Sequence, residues 1–151
     1  MPDKTMSMQA LNSDYKVAVK EAFADATFVT NLDIRLISVD PGRCDAALDV
    51  SSKHLQHLGR VHGGVVTTLA GHTALGAAMS VASSTAMLVS PDFKMTMLRG
   101  CNSGELHASA RVLKTGGALT FVEVEIVNNT GKISKLIAKG SFTLIDSARS
   151  T

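Results

Sequence analysis

Four of the five histidines in the sequence lie in one central stretch, where their spacing could serve a metal ion or acid–base chemistry. They are His54, His57, His62 and His72. A protein zinc site takes its ligands from Cys, His, Asp and Glu side chains, and no cysteine or carboxylate lies close to these histidines in sequence. We therefore expect no metal, and we favour ordinary loop hydrogen bonds for His54 and His57.

The run GRVHGG, over residues 59–64, is the next candidate for chemistry. Glycines at the start of a helix let another group approach the backbone closely, and the first N–H groups of a helix have no intrahelical partner. These groups form the positive end of the helix dipole, so they stabilise an anion or a developing oxyanion. Gly63 and Gly64 fit this description. They fit equally well a purely structural role, in which they allow tight packing where the helix begins.

The long stretch from His62 to Ala82 begins within this run and continues beyond it. It contains no Asp, Glu, Lys or Arg, and its apolar and small residues are distributed around the whole helical circumference. A helix of this kind is either a membrane span or a core helix surrounded by other elements. Its glycines, threonines and histidines, and its lack of Ile and Phe, favour a buried helix packed closely against a curved sheet.

The remaining elements are predicted from their hydrophobic periodicity. We expect an amphipathic helix over residues 7–26 and strands over residues 31–39, 43–51, 86–98, 105–113, 118–127 and 133–145. Pro91 favours a bend, a bulge or an edge position in the third strand. Since short turns join the last strands, the pattern predicts an α+β domain, with one antiparallel sheet wrapped around the long helix. The expected divisions are an N-terminal helical segment over 1–26, the main domain over 27–146 and a tail over 147–151.

The composition is that of one ordinary globular domain of 151 residues, 45% of them hydrophobic and 19% charged. The net charge is only +2, the basic residues are dispersed, and there is one Tyr and no Trp. We therefore expect no nucleic-acid partner. Cys44 and Cys101 lack metal or redox spacing, which favours buried thiols. The N-terminus is too polar for a secretory signal, so we expect a cytoplasmic protein without a membrane partner.

The run from Gln56 to Ala78, QHLGRVHGGVVTTLAGHTALGAA, resembles the signature of the hotdog-fold acyl-CoA thioesterases, in their PaaI-like and 4-hydroxybenzoyl-CoA thioesterase-like branch. That signature has an Asn, a Gly three residues later, and then His-Gly-Gly at the start of a helix. The likeness continues downstream and covers about residues 30 to 145. The predicted order of elements is also that of the hotdog fold.

The resemblance implies a homodimer or a dimer of dimers, with active sites at the dimer interface. It implies that the N–H of Gly63 donates to the thioester carbonyl and that His62 shapes the loop. Gln56, which replaces the family's Asn, and Ser90 would place the attacking water. Coenzyme A would be bound as part of the substrate, with no further cofactor. The residues expected to contact it are Arg60, Gly64 and Arg99.

One position departs strongly from the family pattern, because Gly71 stands where the helix usually carries a catalytic Asp. Loss of a general base typically lowers a rate by about 10²–10⁴. His72 is a speculative substitute, although one helical residue turns it about 100° away from the face of Gly71. Asp92, on the following strand, is an alternative. The hydroxyls of Thr67 and Thr68 border the same face, but neither is a base on its own.

Taken with the resemblance, these residues predict a thioesterase acting on the CoA thioester of a small to medium acyl or aromatic acid. The alternative is a protein that kept the acyl-CoA site and lost hydrolysis together with the carboxylate. A hydratase or dehydratase is a third interpretation, and it lacks the acid–base pair that this chemistry needs. Release of free thiol from acyl-CoA thioesters separates the first two.

Overall fold

The chain builds one sheet and one long helix in the order that its hydrophobic patterns predict. The computed structural model describes residues 7–149. Its helices are α1 (Tyr15–Asp25), α2 (Thr27–Asn31) and α3 (Gly63–Met79). Its strands are β1 (Arg35–Asp40), β2 (Arg43–Asp49), β3 (Leu88–Met97), β4 (Glu105–Gly116), β5 (Leu119–Thr130) and β6 (Ile133–Asp146). Short 3₁₀ turns cover Ser52–His54 and Ser147–Arg149.

All neighbouring strands are antiparallel, in the spatial order β1-β2-β4-β5-β6-β3. The sheet curves around α3, which packs against all six strands. Alternation along the strands puts residues such as Leu48, Leu106 and Val124 on the inner face, where they are fully buried. An open antiparallel sheet around one central helix is the hotdog fold, so the predicted fold class is confirmed.

The α3 helix is the core element that its uncharged sequence predicts. Its buried residues include Val65, Leu69, Ala74 and Ala77. Small residues are required because the sheet comes very close: a Cβ on Gly76 would lie only 2.7 Å from the Sγ of Cys44 in β2.

Cys44, which packs against this helix, is fully buried in the core. Burial, with a smaller contribution from the charge of Asp45, raises the pKa of the Cys44 thiol to about 12, so the thiol stays neutral. Cys101 is partly buried, and both cysteines are free thiols. None of the helices within residues 7–149 combines the length and hydropathy needed to cross a membrane.

The N-terminal helix begins at Tyr15 rather than at residue 7 as predicted. Ahead of it, the Asn12 side chain accepts a hydrogen bond from the N–H of Asp14 at 3.0 Å, and such local bonds of Asn, Ser and Asp compete with helix formation. The first six residues of the predicted N-terminal segment and the last two of the tail lie outside the described residues.

The first strand also begins later than predicted, at Arg35 instead of residue 31. The short helix α2 and a turn occupy the intervening residues. In that turn Asp33 adopts a left-handed conformation with φ 55°, and the N–H of Ile34 donates to the carbonyl of Val29 at 3.3 Å. Backbone hydrogen bonds of the turn thus replace the sheet pairing that the alternating sequence suggested.

The third strand, β3, forms one edge of the sheet and pairs only with β6. Its register shifts between Val89 and Asp92, around Pro91, which confirms the predicted bulge and edge position. The apolar side chains of Val89, Phe93 and Met97 are 49%, 51% and 47% exposed. An exposed apolar edge strand is a surface prepared for pairing with another strand.

Candidate active site

The loop before α3 is organised around His54, whose side chain is fully buried. Its Nδ1 accepts the backbone N–H of Ser51 at 3.0 Å, so its Nε2 carries the proton and donates to the carbonyl of Leu32 at 2.9 Å. The carbonyl of His54 accepts the N–H of His62 at 2.8 Å. The predicted hydrogen-bonding role of His54 is confirmed, and it fixes where α3 begins.

The other loop histidine predicted to be structural, His57, has an exposed side chain. Within residues 7–149, no group of three or more His, Cys, Asp or Glu side chains is arranged to hold a metal ion.

Gln56 lies in the turn of the same loop. Its N–H donates to the carbonyl of Arg60 at 2.7 Å, and its carbonyl accepts the N–H of Gly59 at 2.9 Å. The side-chain Oε1 accepts the N–H of Leu58. The side-chain amide nitrogen has no hydrogen-bond partner in the described part of the chain, so it is left as a donor for a bound molecule.

His62 is the N-cap of α3, and its side chain completes the first turn. Its Nδ1 accepts the N–H of Gly64 at 2.8 Å, and its carbonyl accepts the N–H of Val65 at 2.9 Å. The N–H of Gly63 has no partner among the described residues. It lies at the positive end of a 17-residue helix, where it can donate to an anion or a carbonyl oxygen. The N–H of Gly64, a residue expected to contact coenzyme A, is used by the side chain of His62, and the contact of Gly64 with coenzyme A stays a prediction.

Gly63 borders a cavity of about 260 Å³ between the loop, the start of α3 and the segment after β3, here named the loop cavity. Its polar lining residues are Gln56, Arg60, Arg99 and Cys101. Nη1 of Arg99 donates to the carbonyl of Leu136 at 2.7 Å. Burial raises the pKa of the Cys101 thiol, which therefore stays neutral. The charge in this cavity is accordingly positive, from two guanidinium groups and the helix end.

A second cavity of about 230 Å³, here named the Gly71 cavity, lies between α3, β3 and β6. Its lining residues are Thr67, Gly71, Leu75, Leu88, Val89, Ser90, Phe93, Phe142 and Leu144. The rings of Phe93 and Phe142 stack with their centroids 5.4 Å apart and their planes at 13°. A Cβ on Gly71 would lie 3.3 Å from Cε1 of Phe142. The missing side chain at Gly71 therefore contributes to the width of the cavity.

Ser90, which the resemblance implies helps to place the attacking water, lies on the strand side of the Gly71 cavity. Its Oγ donates to the carbonyl of Thr143 at 3.1 Å and lies 3.4 Å from the carbonyl of Asp92. None of the described residues that line either cavity has a carboxylate. Asp92 is an exposed residue of the edge strand and is not part of this lining.

His72, the speculative base, is not among the residues that line either cavity. Its Nε2 lies 3.1 Å from the carbonyl of Ala22 in α1. Its ring packs edge-on against Phe23, with the centroids 4.5 Å apart. Burial lowers the pKa of His72, and the bond to Ala22 opposes this shift only in part. The ring belongs to the contact between α1 and α3, because one residue of helix turns it away from Gly71.

The aromatic pair Phe93 and Phe142 was not identified from the sequence. The two residues are neighbours only through the pairing of β3 with β6, in which Phe93 faces Phe142. Period-two alternation marks each as a strand residue, but it does not reveal which distant strand lies beside it. The register of these two strands is the missing information.

Known proteins share this architecture. Residues 58–135 match the family model of the thioesterase superfamily. Acyl-coenzyme A thioesterase 13 of Mus musculus is 30% identical over 138 residues, which are 90% of this chain and 96% of the relative. A thioesterase family protein from Silicibacter pomeroyi has a TM-score of 0.83 at 25% identity, over 87% of this chain and 96% of the other. The E. coli PaaI protein shares the fold, with a TM-score of 0.80 at 22% identity, over 91% of this chain and 96% of the other.

The curved antiparallel sheet and the central helix define a hotdog protein. This chain belongs to the thioesterase superfamily.

Proposed function

We propose that this protein hydrolyses acyl-CoA thioesters. The observation that carries the proposal is the N–H of Gly63, which has no hydrogen-bond partner in the described part of the chain and borders the loop cavity. It stands at the positive end of α3, where a carbonyl oxygen that gains negative charge is stabilised. The likeness to acyl-coenzyme A thioesterase 13 supports the same class of substrate.

The proposed reaction uses Gly63 as the oxyanion donor. The thioester carbonyl oxygen accepts its N–H, and the hydrogen bond strengthens as water adds to the carbonyl carbon. The carbon–sulfur bond of the tetrahedral intermediate then breaks, which frees the carboxylic acid and the thiol of coenzyme A. A single donor of this kind contributes about 10²–10³ in kcat.

The polar residues around Gly63 hold the other parts of the substrate. The guanidinium groups of Arg60 and Arg99 give the loop cavity its positive charge, so they attract the phosphates of coenzyme A. The free amide nitrogen of Gln56 donates to the acyl group or to the attacking water. The hydroxyl of Ser90 keeps lone pairs that accept a hydrogen bond from this water.

The Gly71 cavity receives the acyl group. Its volume of about 230 Å³ is below the roughly 300–1,000 Å³ of pockets that enclose a drug-sized ligand, so it suits a small to medium acyl group. The stacked rings of Phe93 and Phe142 offer an apolar surface to an aliphatic or aromatic chain. Because Gly71 provides no carboxylate, turnover is expected to be slower than that of a variant that has one.

The active protein is proposed to be at least a homodimer, formed by pairing of two β3 edges. The half-exposed side chains of Val89, Phe93 and Met97 support this surface. Pairing at this edge would place a second subunit beside the Gly71 cavity, which Val89 and Phe93 line. Further association into a dimer of dimers remains a prediction. Sedimentation of the native chain tests the dimer, and a monomer at micromolar concentration would contradict it.

The function is tested by measuring free-thiol release from acetyl-, hexanoyl-, benzoyl-, phenylacetyl- and palmitoyl-CoA. We expect turnover that is fastest with the hexanoyl and aromatic thioesters and slow with palmitoyl-CoA. Gly71→Asp, run beside the native chain, should raise kcat by up to about 10²-fold, because it adds a general base next to the cavity. Native turnover no faster than the uncatalysed reaction would contradict the proposal. Activity in Gly71→Asp alone would show that the native chain only binds acyl-CoA.

A further inference from the structure

The α3 helix contains three threonines, and their hydroxyls are used differently. The hydroxyl of Thr68 donates to the carbonyl of Gly64 at 2.7 Å, and that of Thr73 donates to the carbonyl of Leu69 at 2.6 Å. Such bonds to the carbonyl four residues earlier are the usual way for a helical Thr to satisfy its hydroxyl. The hydroxyl of Thr67 makes no hydrogen bond to any described residue.

The free hydroxyl of Thr67 is accessible to a small molecule. The residue is half-buried and lines the Gly71 cavity. No fully buried side-chain oxygen or nitrogen in residues 7–149 lacks a partner, so this unpartnered hydroxyl oxygen is open to the cavity or to solvent. Among the described residues that line this cavity, only Thr67 and Ser90 have polar side chains.

The position of Thr67 along α3 matters because it lies midway between the two features of the proposed site. Gly63, Thr67 and Gly71 are spaced four residues apart, so they share one face of the helix. Each step of four residues is about 6 Å along the axis. The hydroxyl of Thr67 therefore lies about one helical turn from the N–H of Gly63. It is on the side of the Gly71 cavity, which is proposed to receive the acyl group.

We propose that Thr67 is a positioning residue that holds the attacking water. This inference rests on the proposed thioesterase function. The hydroxyl makes a hydrogen bond to a water molecule and directs its oxygen to the carbonyl carbon. As the new carbon–oxygen bond forms and the carbon–sulfur bond breaks, the proton of the water passes to solvent, and the departing thiolate takes up a proton. The hydroxyl orients the water without acting as a base, consistent with a cavity wall that has no carboxylate.

The matched variants for this inference are Thr67→Val and Thr68→Val, measured with the best thioester of the panel. Both remove one hydroxyl from neighbouring helix positions and keep the shape of the side chain. Thr67→Val should lower kcat about tenfold with KM nearly unchanged, as for loss of one hydrogen bond in the transition state. Thr68→Val should stay within about twofold of the native kcat, because its hydroxyl serves only the helix. Thr67→Ser should restore most of the activity.

Three results would overturn the role of Thr67 in a native enzyme that is active: an unchanged kcat in Thr67→Val, an effect on KM alone, or an equal loss in Thr68→Val. An effect on KM alone would indicate that the hydroxyl only contacts the acyl group. An equal loss in Thr68→Val would indicate a general effect of the substitutions on the helix. Native melting temperatures in all three variants exclude misfolding. A native chain that releases no thiol would refute the thioesterase proposal itself, and the role of Thr67 with it.

Discussion

Nδ1 of His62 accepts the backbone N–H of Gly64 at 2.8 Å, and the N–H of Gly63, which lies between the two, is left without a partner among the described residues. The cap thus satisfies the second N–H of the helix and leaves the first one for a ligand. The loop supports this arrangement, because the backbone carbonyl of the buried His54 accepts the N–H of His62 at 2.8 Å. A structural histidine therefore fixes the position of the cap, and the cap fixes the position of the donor.

Replacement of His62 should affect stability and activity together. His62→Ala removes the cap, which should lower the free energy of unfolding by about 1 kcal/mol, and it should lower kcat/KM because the first turn loses its order. His62→Asn keeps a side-chain acceptor at the N-cap and should recover most of both quantities. Urea unfolding and thiol release measure them. Equal losses in the two variants would show that the cap is not what His62 contributes.

Gly76 should tolerate no side chain. A Cβ there would lie 2.7 Å from the Sγ of Cys44 and 3.3 Å from side-chain atoms of Val19 and Phe23. Gly76→Ala should therefore lower the free energy of unfolding by about 1–3 kcal/mol, as overpacking of a core does. Gly116→Ala is the matched control, since no atom lies within 4 Å of a Cβ at that position. A neutral or stabilising Gly76→Ala in urea unfolding would mean that the sheet does not approach α3 so closely.

His72 should make stability depend on pH between neutral and mildly acidic conditions. Burial lowers its pKa below the ordinary value of 6.5, so the unfolded chain binds a proton at a pH where the folded chain does not. Stability from this group is present above pH 6.5, falls as the pH drops below it, and levels off once the lowered folded-state pKa is passed. His72→Gln removes the titrating group but retains a donor for Ala22.

The difference in unfolding free energy between the native chain and His72→Gln should therefore shrink from pH 7.5 to pH 5. Both chains keep His54 and the remaining histidines, so the difference isolates His72. Urea unfolding at several pH values measures it. A difference that is constant, or that grows towards low pH, would show that the ring is not buried against α1.

The fold and the start of α3 could be predicted because they depend on patterns that are local in the sequence. The uncharged stretch around Leu69 predicts a helix buried on all sides, and the alternation of Val122 and Val124 predicts a half-buried strand. Gly63 and His62 were found from their neighbours in sequence. The boundary at Tyr15 was missed because a turn built by Asn12 interrupts a pattern that is helical in its hydrophobic spacing.

The remaining features of the site depend on tertiary contacts that no local pattern carries. His72 follows Gly71 directly, yet it belongs to the contact with Ala22, and only the packing of α1 decides this. Thr67 and Thr68 are the same residue type at adjacent positions. The hydroxyl of Thr68 bonds to the helix and that of Thr67 does not. The sequence alone does not show which of the two hydroxyls is free.

Polarisation of the thioester carbonyl by the N–H of Gly63 can be tested by removing this one hydrogen atom. Proline has no N–H and is well tolerated at the first position of a helix. His62 already has the extended backbone, with ψ 135°, that a residue before proline requires. A Cβ at position 63 would meet only Cε of Met97, at 3.8 Å, which is an ordinary van der Waals contact.

The decisive measurement is thus kcat for thiol release by Gly63→Pro beside Gly63→Ala, which adds the Cβ but keeps the N–H. We expect kcat of Gly63→Ala to stay within a few-fold of the native value and kcat of Gly63→Pro to fall by about 10²–10³, with both variants folded as judged by circular dichroism. A Gly63→Pro variant that turns over as fast as Gly63→Ala would contradict the assignment of this N–H as the oxyanion donor.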